Sequence, residues 1–138
     1  MAELFAEHLT KRYPNQQDKP DVIIPVPLHH KRLRERGFNQ SVEIAKIVAR
    51  HMGIPLDLRA CTRVKMTQPQ AELPAGQRKQ NVKGAFAFHP SQPAAPGGRI
   101  ALLDDVMTTG HTINELTKTI QNSGQYAVEV WVCARANR

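Results

Sequence analysis

The sequence predicts an α/β sandwich with a mainly parallel sheet, and three observations lead there. Short apolar runs at residues 21–26, 99–103 and 126–134 read as buried strands. Between them, apolar residues recur at helical spacing over 41–52 and 113–123. Proline and glycine gather in the connections. A chain of 138 residues holds one domain with its own core and leaves little room for a second.

The elements follow in order. Residues 2–13 space Leu4, Phe5 and Leu9 along one helix face, and Pro14 with the polar stretch after it ends that helix. Asp-Val-Ile-Ile-Pro-Val at 21–26 is nearly continuous in apolar character, so it reads as a strand buried on both faces, and Pro25 and Pro27 place its end at a loop. A helix then starts at Asn39 or Ser41, either of which can cap it, and carries Ile44, Ile47, Val48 and Met52 before Gly53 stops it. Residues 56–61 are a weaker strand and 85–88 a brief one. Residues 67–81 hold Pro69, Pro74 and Gly76 among polar side chains and read as a long loop, which in a compact domain is a lid, a binding loop or a disordered segment. The strand at 99–103 runs into Asp104 and Asp105, then into a turn of small hydroxyl residues, a helix ended by Gly124, and the last strand.

Composition removes several classes. Apolar residues make up 41% and charged residues 22%, which fits neither a disordered chain nor a disulfide scaffold. The N-terminal residues carry acids where a signal peptide carries bases, and no apolar run approaches the roughly 18–20 residues of a membrane helix, so a cytoplasmic protein with no membrane span is expected. Cys61 and Cys133, far apart in sequence, cannot make a zinc site alone and read as thiols in a reducing compartment. The net charge is +7. Two segments hold all of that excess: Lys31, Arg32, Arg34 and Arg36 against Glu35, and Arg59, Arg63, Lys65, Arg78, Lys79 and Lys83 against Glu72. Both lack periodic pattern and read as loops. Positive potential focused in this way attracts phosphate-rich ligands or nucleic acid.

The chemistry concentrates at residues 104–112. A helix start offers unpaired N–H groups and the positive end of its dipole, Gly110 lets backbone approach a ligand, and Thr108, Thr109 and Thr112 add hydroxyls. Such a cup suits a phosphate monoester. Asp104 and Asp105 would repel that phosphate, so they face either vicinal hydroxyls or a hydrated divalent cation. Together the segment describes a ribose 5-phosphate. Neither G-x-x-x-x-G-K nor G-x-G-x-x-G occurs.

The run Leu102-Leu103-Asp104-Asp105-Val106-Met107-Thr108-Thr109-Gly110-His111-Thr112 resembles the phosphoribosyl pyrophosphate (PRPP) motif of type I phosphoribosyltransferases. Pro25-Val26-Pro27-Leu28, Arg36-Gly37-Phe38-Asn39-Gln40, Gln70, Arg78 and Asn81-Val82-Lys83-Gly84-Ala85-Phe86 make it similar, more narrowly, to the ComF/GntX family, linked to competence and DNA utilisation. The resemblance covers about residues 21–135. It implies a three-layer type I phosphoribosyltransferase-like fold with the ligand at the point where strand order reverses. It also implies PRPP contacts from Asp104, Asp105, Val106, Met107, Thr108, Thr109, Gly110, His111 and Thr112. A pyrophosphate loop would comprise Leu28, His29, Lys31, Arg32 and, further on, Arg36, and a flexible lid would include Gln70, Arg78 and Asn81. Mg²⁺ would arrive with PRPP, with no direct protein ligand, held through water by Asp104 and Asp105. Family members usually begin with a cysteine-rich zinc ribbon that this sequence lacks, so residues 1–138 are expected to be a C-terminal fragment or a shortened relative.

The neighbouring residues take plainer readings. Adjacent histidines on an extended chain point apart, so His29 and His30 read as a polar loop rather than a metal pair. His111 is expected to act through its backbone N–H, Trp131 and Phe86 through the core, and Arg135 is left open between pocket and surface. An acid stands at the position of Thr108 in purine-salvage relatives, and threonine cannot replace it as a base, which disfavours a hypoxanthine- or guanine-type reaction. The expected function is therefore binding of PRPP or another phosphorylated ribose, as a transferase of unknown acceptor or as a sensor working with DNA-processing proteins. The alternative is a regulatory module that uses the same fold and its basic segments to bind single-stranded nucleic acid.

Overall fold

In chain order the elements are α1 (Ala2–Arg12), β1 (Val22–Pro25), α2 (His30–Arg36), α3 (Gln40–Met52), β2 (Cys61–Arg63), β3 (Phe86–Phe88), β4 (Arg99–Met107), α4 (His111–Ser123) and β5 (Ala127–Arg135). The computed structural model describes residues 1–65, 74, 77, 82–91, 97–107 and 109–135. The apolar runs form a parallel sheet in the order β1-β4-β5, and β2 and β3 form a separate antiparallel pair. In register, Pro25 stands beside Leu103 and Leu103 beside Trp131.

Alternation along the strands sorts the core into two clusters. Ile23, Ala101, Leu103 and Trp131 face α1 and α3, packing on Ala6, Leu9, Ile44, Val48 and Met52. Ile24, Val26, Ile100 and Leu102 face the other way, onto Ile113, Leu116 and Ile120 of α4 and onto Phe86 and Phe88. Three layers result, as the sequence predicts, and Trp131 and Phe86 are core residues. Chain ends meet across the first layer. Tyr13, just past α1, donates its hydroxyl to Glu129 Oε2 of β5 and accepts from Trp131 Nε1 at 3.4 Å.

Three expectations need correction. The strand expected over 99–103 does not end at Leu103: β4 continues through both acids to Met107, because β5 keeps pairing with it, Asp104 with Val132, Val106 with Ala134 and Met107 with Arg135. Val106 and Met107 are thus strand residues, and Arg135 is an exposed strand end. The weak strand at 56–61 is split by a turn. The Asp57 carboxylate accepts from the N–H groups of Arg59 and Ala60, at 3.0 Å each, so Leu56 bridges to Ile23 on the main sheet while Cys61 opens β2 elsewhere. The first basic segment is helical. His29 Nδ1 accepts from Lys31 N at 3.2 Å, and Gly37 closes the helix at φ +82°, a left-handed value glycine adopts without a Cβ penalty. The lid residues Gln70, Arg78 and Asn81, and Thr108, lie outside the described residues.

Candidate functional site

Because β1 and β4 are parallel and in register, their C-terminal ends open on one edge of the sheet. This is where open α/β sheets bind ligands. The chain leaves β1 through Val26 and Pro27, forms α2, and enters α3 beside the end of β4. Asn39 fixes that entry: its Oδ1 accepts from Ser41 N at 3.0 Å and its Nδ2 donates to the Val26 carbonyl at 3.1 Å. Ser41 is the one buried polar residue among those described, 3% exposed.

Ser41 meets both acids. Its Oγ lies 3.3 Å from Asp104 Oδ1 and 3.3 Å from Asp105 Oδ1, and it accepts from Asp105 N at 3.2 Å. Burial raises the Asp104 carboxyl to about 7, the Asp105 carboxyl beside it adds to that rise, and the Ser41 hydroxyl works against it. Around them Val106 and Thr109 are exposed, while Met107, Gly110, His111 and Thr112 are half-buried. Gly110 is the residue before α4, at φ +84°, and no side chain caps this end, whereas the side chains of His29 and Asn39 cap α2 and α3. The first turn of α4 therefore keeps its amides for a ligand. His111 Nδ1 is buried and has no hydrogen-bond partner, a feature that composition and spacing do not reveal.

The cations converge on the same edge. All of α2 leaves its residues unburied, and among the described residues no ion pair involves Lys31, Arg32, Arg34 or Arg36. Slight desolvation, then the positive neighbours His30, Arg63, Arg34 and Lys31, lower the pKa of His29. Arg63, from β2, is lowered by burial and then by Arg32, and its guanidinium lies 5.3 Å from the centre of the Phe86 ring. A hollow of about 500 Å³ opens beside α2, with Pro27, Leu28, His30, Phe38, Asn39 and Arg63 in its wall. Of the pyrophosphate-loop candidates, Leu28 and His29 stay in the loop, whereas Lys31, Arg32 and Arg36 sit on α2; the cause is the pair of caps described above. The histidines also differ from expectation. His30 begins a helix rather than continuing an extended chain, so the two rings stack with centroids 4.2 Å apart.

Sequence reasoning gave Ser41 only a capping role. The signal that identifies it is topological: the helix after β1 must start beside the end of the neighbouring strand, and a small hydroxyl there meets whatever that strand ends in. Among the described residues no group of three or more His, Cys, Asp or Glu side chains could hold a metal ion. No helix among them is long and apolar enough to cross a membrane.

No family model matches the chain. It is 42% identical over 122 residues to competence protein F of Haemophilus influenzae, covering 88% of this chain and 53% of that protein. The DNA utilization protein YhgH of Escherichia coli is 37% identical over 132 residues, 96% of this chain and 57% of that one. Competence protein ComFC of Bacillus subtilis is 28% identical over 89% of this chain and 46% of its own. The chain thus spans about half the length of these curated relatives. Among solved structures, a purine phosphoribosyltransferase from Pyrococcus horikoshii superposes with a TM-score of 0.59 at 15% identity, covering 97% of this chain and 82% of that one. The adenine phosphoribosyltransferase of Trypanosoma brucei, solved with AMP, pyrophosphate and ribose-5-phosphate, gives 0.58 at 14% identity, over 95% and 50%. These likenesses show the fold: over the length it spans, the chain is similar to the competence and DNA-utilisation proteins in sequence and has the fold of a type I phosphoribosyltransferase.

Proposed function

We propose that this chain binds a phosphorylated ribose, PRPP in the first place, as a phosphoribosyltransferase-like protein of the competence and DNA-utilisation type. One observation carries the reading: on a single sheet edge stand a carboxylate pair, an uncapped helix start and a basic helix whose cations form no ion pair among the described residues. Each meets one part of PRPP. Asp104 and Asp105 accept from the ribose hydroxyls, the amides after Gly110 hold the 5-phosphate, and Lys31, Arg32 and Arg36 meet the diphosphate. The neighbouring acids Asp104 and Asp105 would suit a hydrated Mg²⁺ that arrives with the diphosphate and is held through water. When bound, that ion supplies charge neutralisation of the leaving diphosphate. The chain's own part is to orient the ribose and hold both ends of the ligand. The nucleophile that would accept the phosphoribosyl group is left open. The proposal places the chain in the cytoplasm, where the free thiols Cys61 and Cys133 stay reduced.

The cations of α2, without an ion pair among the described residues, also support a second reading, a regulatory module that binds single-stranded nucleic acid. Salt separates the two. Calorimetry with PRPP and Mg²⁺ in high salt, where nonspecific nucleic-acid affinity collapses, should still show binding. Asp104→Asn combined with Asp105→Asn should weaken it by about 1.5–3 kcal/mol per lost charge-assisted bond. An unchanged affinity removes the ribose assignment, and loss of all binding in salt favours the nucleic-acid module.

A further inference from the structure

The two carboxylates lie on consecutive residues of a strand, and consecutive side chains of a strand point to opposite faces. Left to that rule, Asp104 and Asp105 would diverge. Ser41 Oγ nonetheless stands 3.3 Å from an oxygen of each and takes the N–H between them at 3.2 Å. A single hydroxyl that accepts from the backbone and shares its one proton between the two Oδ1 atoms draws the two carboxylates around one point. Apart from the contact of the two carboxyls with each other, no other side-chain hydroxyl or nitrogen among the described residues donates to either acid. The serine is itself fixed. Ser41 is 3% exposed, its N–H is held by Asn39, and Asn39 is anchored to the end of β1.

We propose that Ser41 is a positioning residue that sets sugar specificity: by holding the carboxylates of Asp104 and Asp105 side by side, it presents two acceptors to the two neighbouring hydroxyls of a ribose and so selects ribose phosphates over 2-deoxyribose phosphates. This rests on the reading of the acids as a ribose site. A vicinal diol gives each carboxylate one donor. A 2-deoxy sugar has one hydroxyl there and leaves the other carboxylate, half-buried as it is, without a partner, a loss larger than that of the bond alone. Without the serine hydroxyl only the contact between the two carboxyls themselves is left, which a bound sugar breaks, and both sugars then meet a less fixed pair.

The test compares ribose 5-phosphate with 2-deoxyribose 5-phosphate by calorimetry on the full chain, as wild type, Ser41→Ala and Ser41→Thr. The wild type should prefer the ribose compound by about tenfold or more, the strength of one charge-assisted hydrogen bond. Ser41→Ala should bring that ratio below about threefold, and Ser41→Thr, which keeps a hydroxyl, should restore it. Serine in a merely structural role would lower both affinities alike and leave the ratio in place, and that result overturns the proposal. A wild type that binds neither sugar phosphate overturns the ribose reading itself, so the two failures are distinct. Circular dichroism of each variant confirms a native fold before titration, and a Ser41→Ala chain that fails to fold leaves the decision to Ser41→Thr against a Ser41→Cys chain, in which the weakly donating thiol should lower the ratio as alanine does.

Discussion

At the scale of single residues, Asp104 shows how a binding site costs stability. Its carboxyl is raised to about 7 from an ordinary value of 3.8, first by burial and then by Asp105. The folded chain therefore keeps a proton that the unfolded chain has already released. Between about pH 4 and pH 7 the native state binds more protons, so stability attributable to this group is full below the unfolded value and is lost as pH rises through the folded one. Asp104→Asn carries no such charge. It should be more stable than the wild type at pH 8, by on the order of 2 kcal/mol, and equal to it near pH 4. Urea unfolding at the two pH values measures this, and a variant with the wild-type slope refutes it. The acids themselves were legible in the sequence, since two carboxylates straight after an apolar run demand an explanation. Their serine partner was not, because its role depends on a contact across 63 residues of chain.

At the scale of elements, pattern succeeded where burial dictates it and failed where caps do. Strands β1 and β4 put apolar side chains into both core clusters and helices α3 and α4 into one each, which is what makes the strands visible as apolar runs and the helices as periodicity. Helix α2 buries nothing, so its sequence holds no periodic signal; His29 and Gly37 define it from outside. The far end of β4 escaped notice for a related reason. Asp104 to Met107 lack apolar continuity, and only pairing with β5 keeps them extended. Caps also have measurable weight. Asn39 holds the start of α3 and ties it to Val26, so Asn39→Ala should cost about 1–2 kcal/mol of stability. Thermal unfolding of the variant checks the figure, and a loss under about 0.3 kcal/mol would mean that the helix start is held by packing alone.

At the scale of the whole molecule, the three layers follow from a short list of apolar runs and their spacing, and the sheet order places the acids and the basic helix on one edge. The ligand edge was inferred through resemblance to a fold; the geometry that makes it an edge is the parallel register of Pro25 with Leu103. That register joins distant parts of the chain. The unit β4-α4-β5 is local in sequence, residues 99–135, whereas β1 reaches β4 by pairing Val22 with Ile100. Closing the longer loop costs more chain entropy, so the local unit is expected to form first and the N-terminal half to dock onto it later. Pulsed hydrogen exchange during refolding should protect amides of β4 and β5 before those of α3, and the reverse order would refute this sequence of events. The carboxylates then exist early, on a finished strand, while the serine that brings them together arrives only with the last docking step. Recognition and completion of the fold become a single event: a refolding chain has the charges for its ligand well before it can use them, and a ligand that needs both halves acts as a clasp on the seam that closes last.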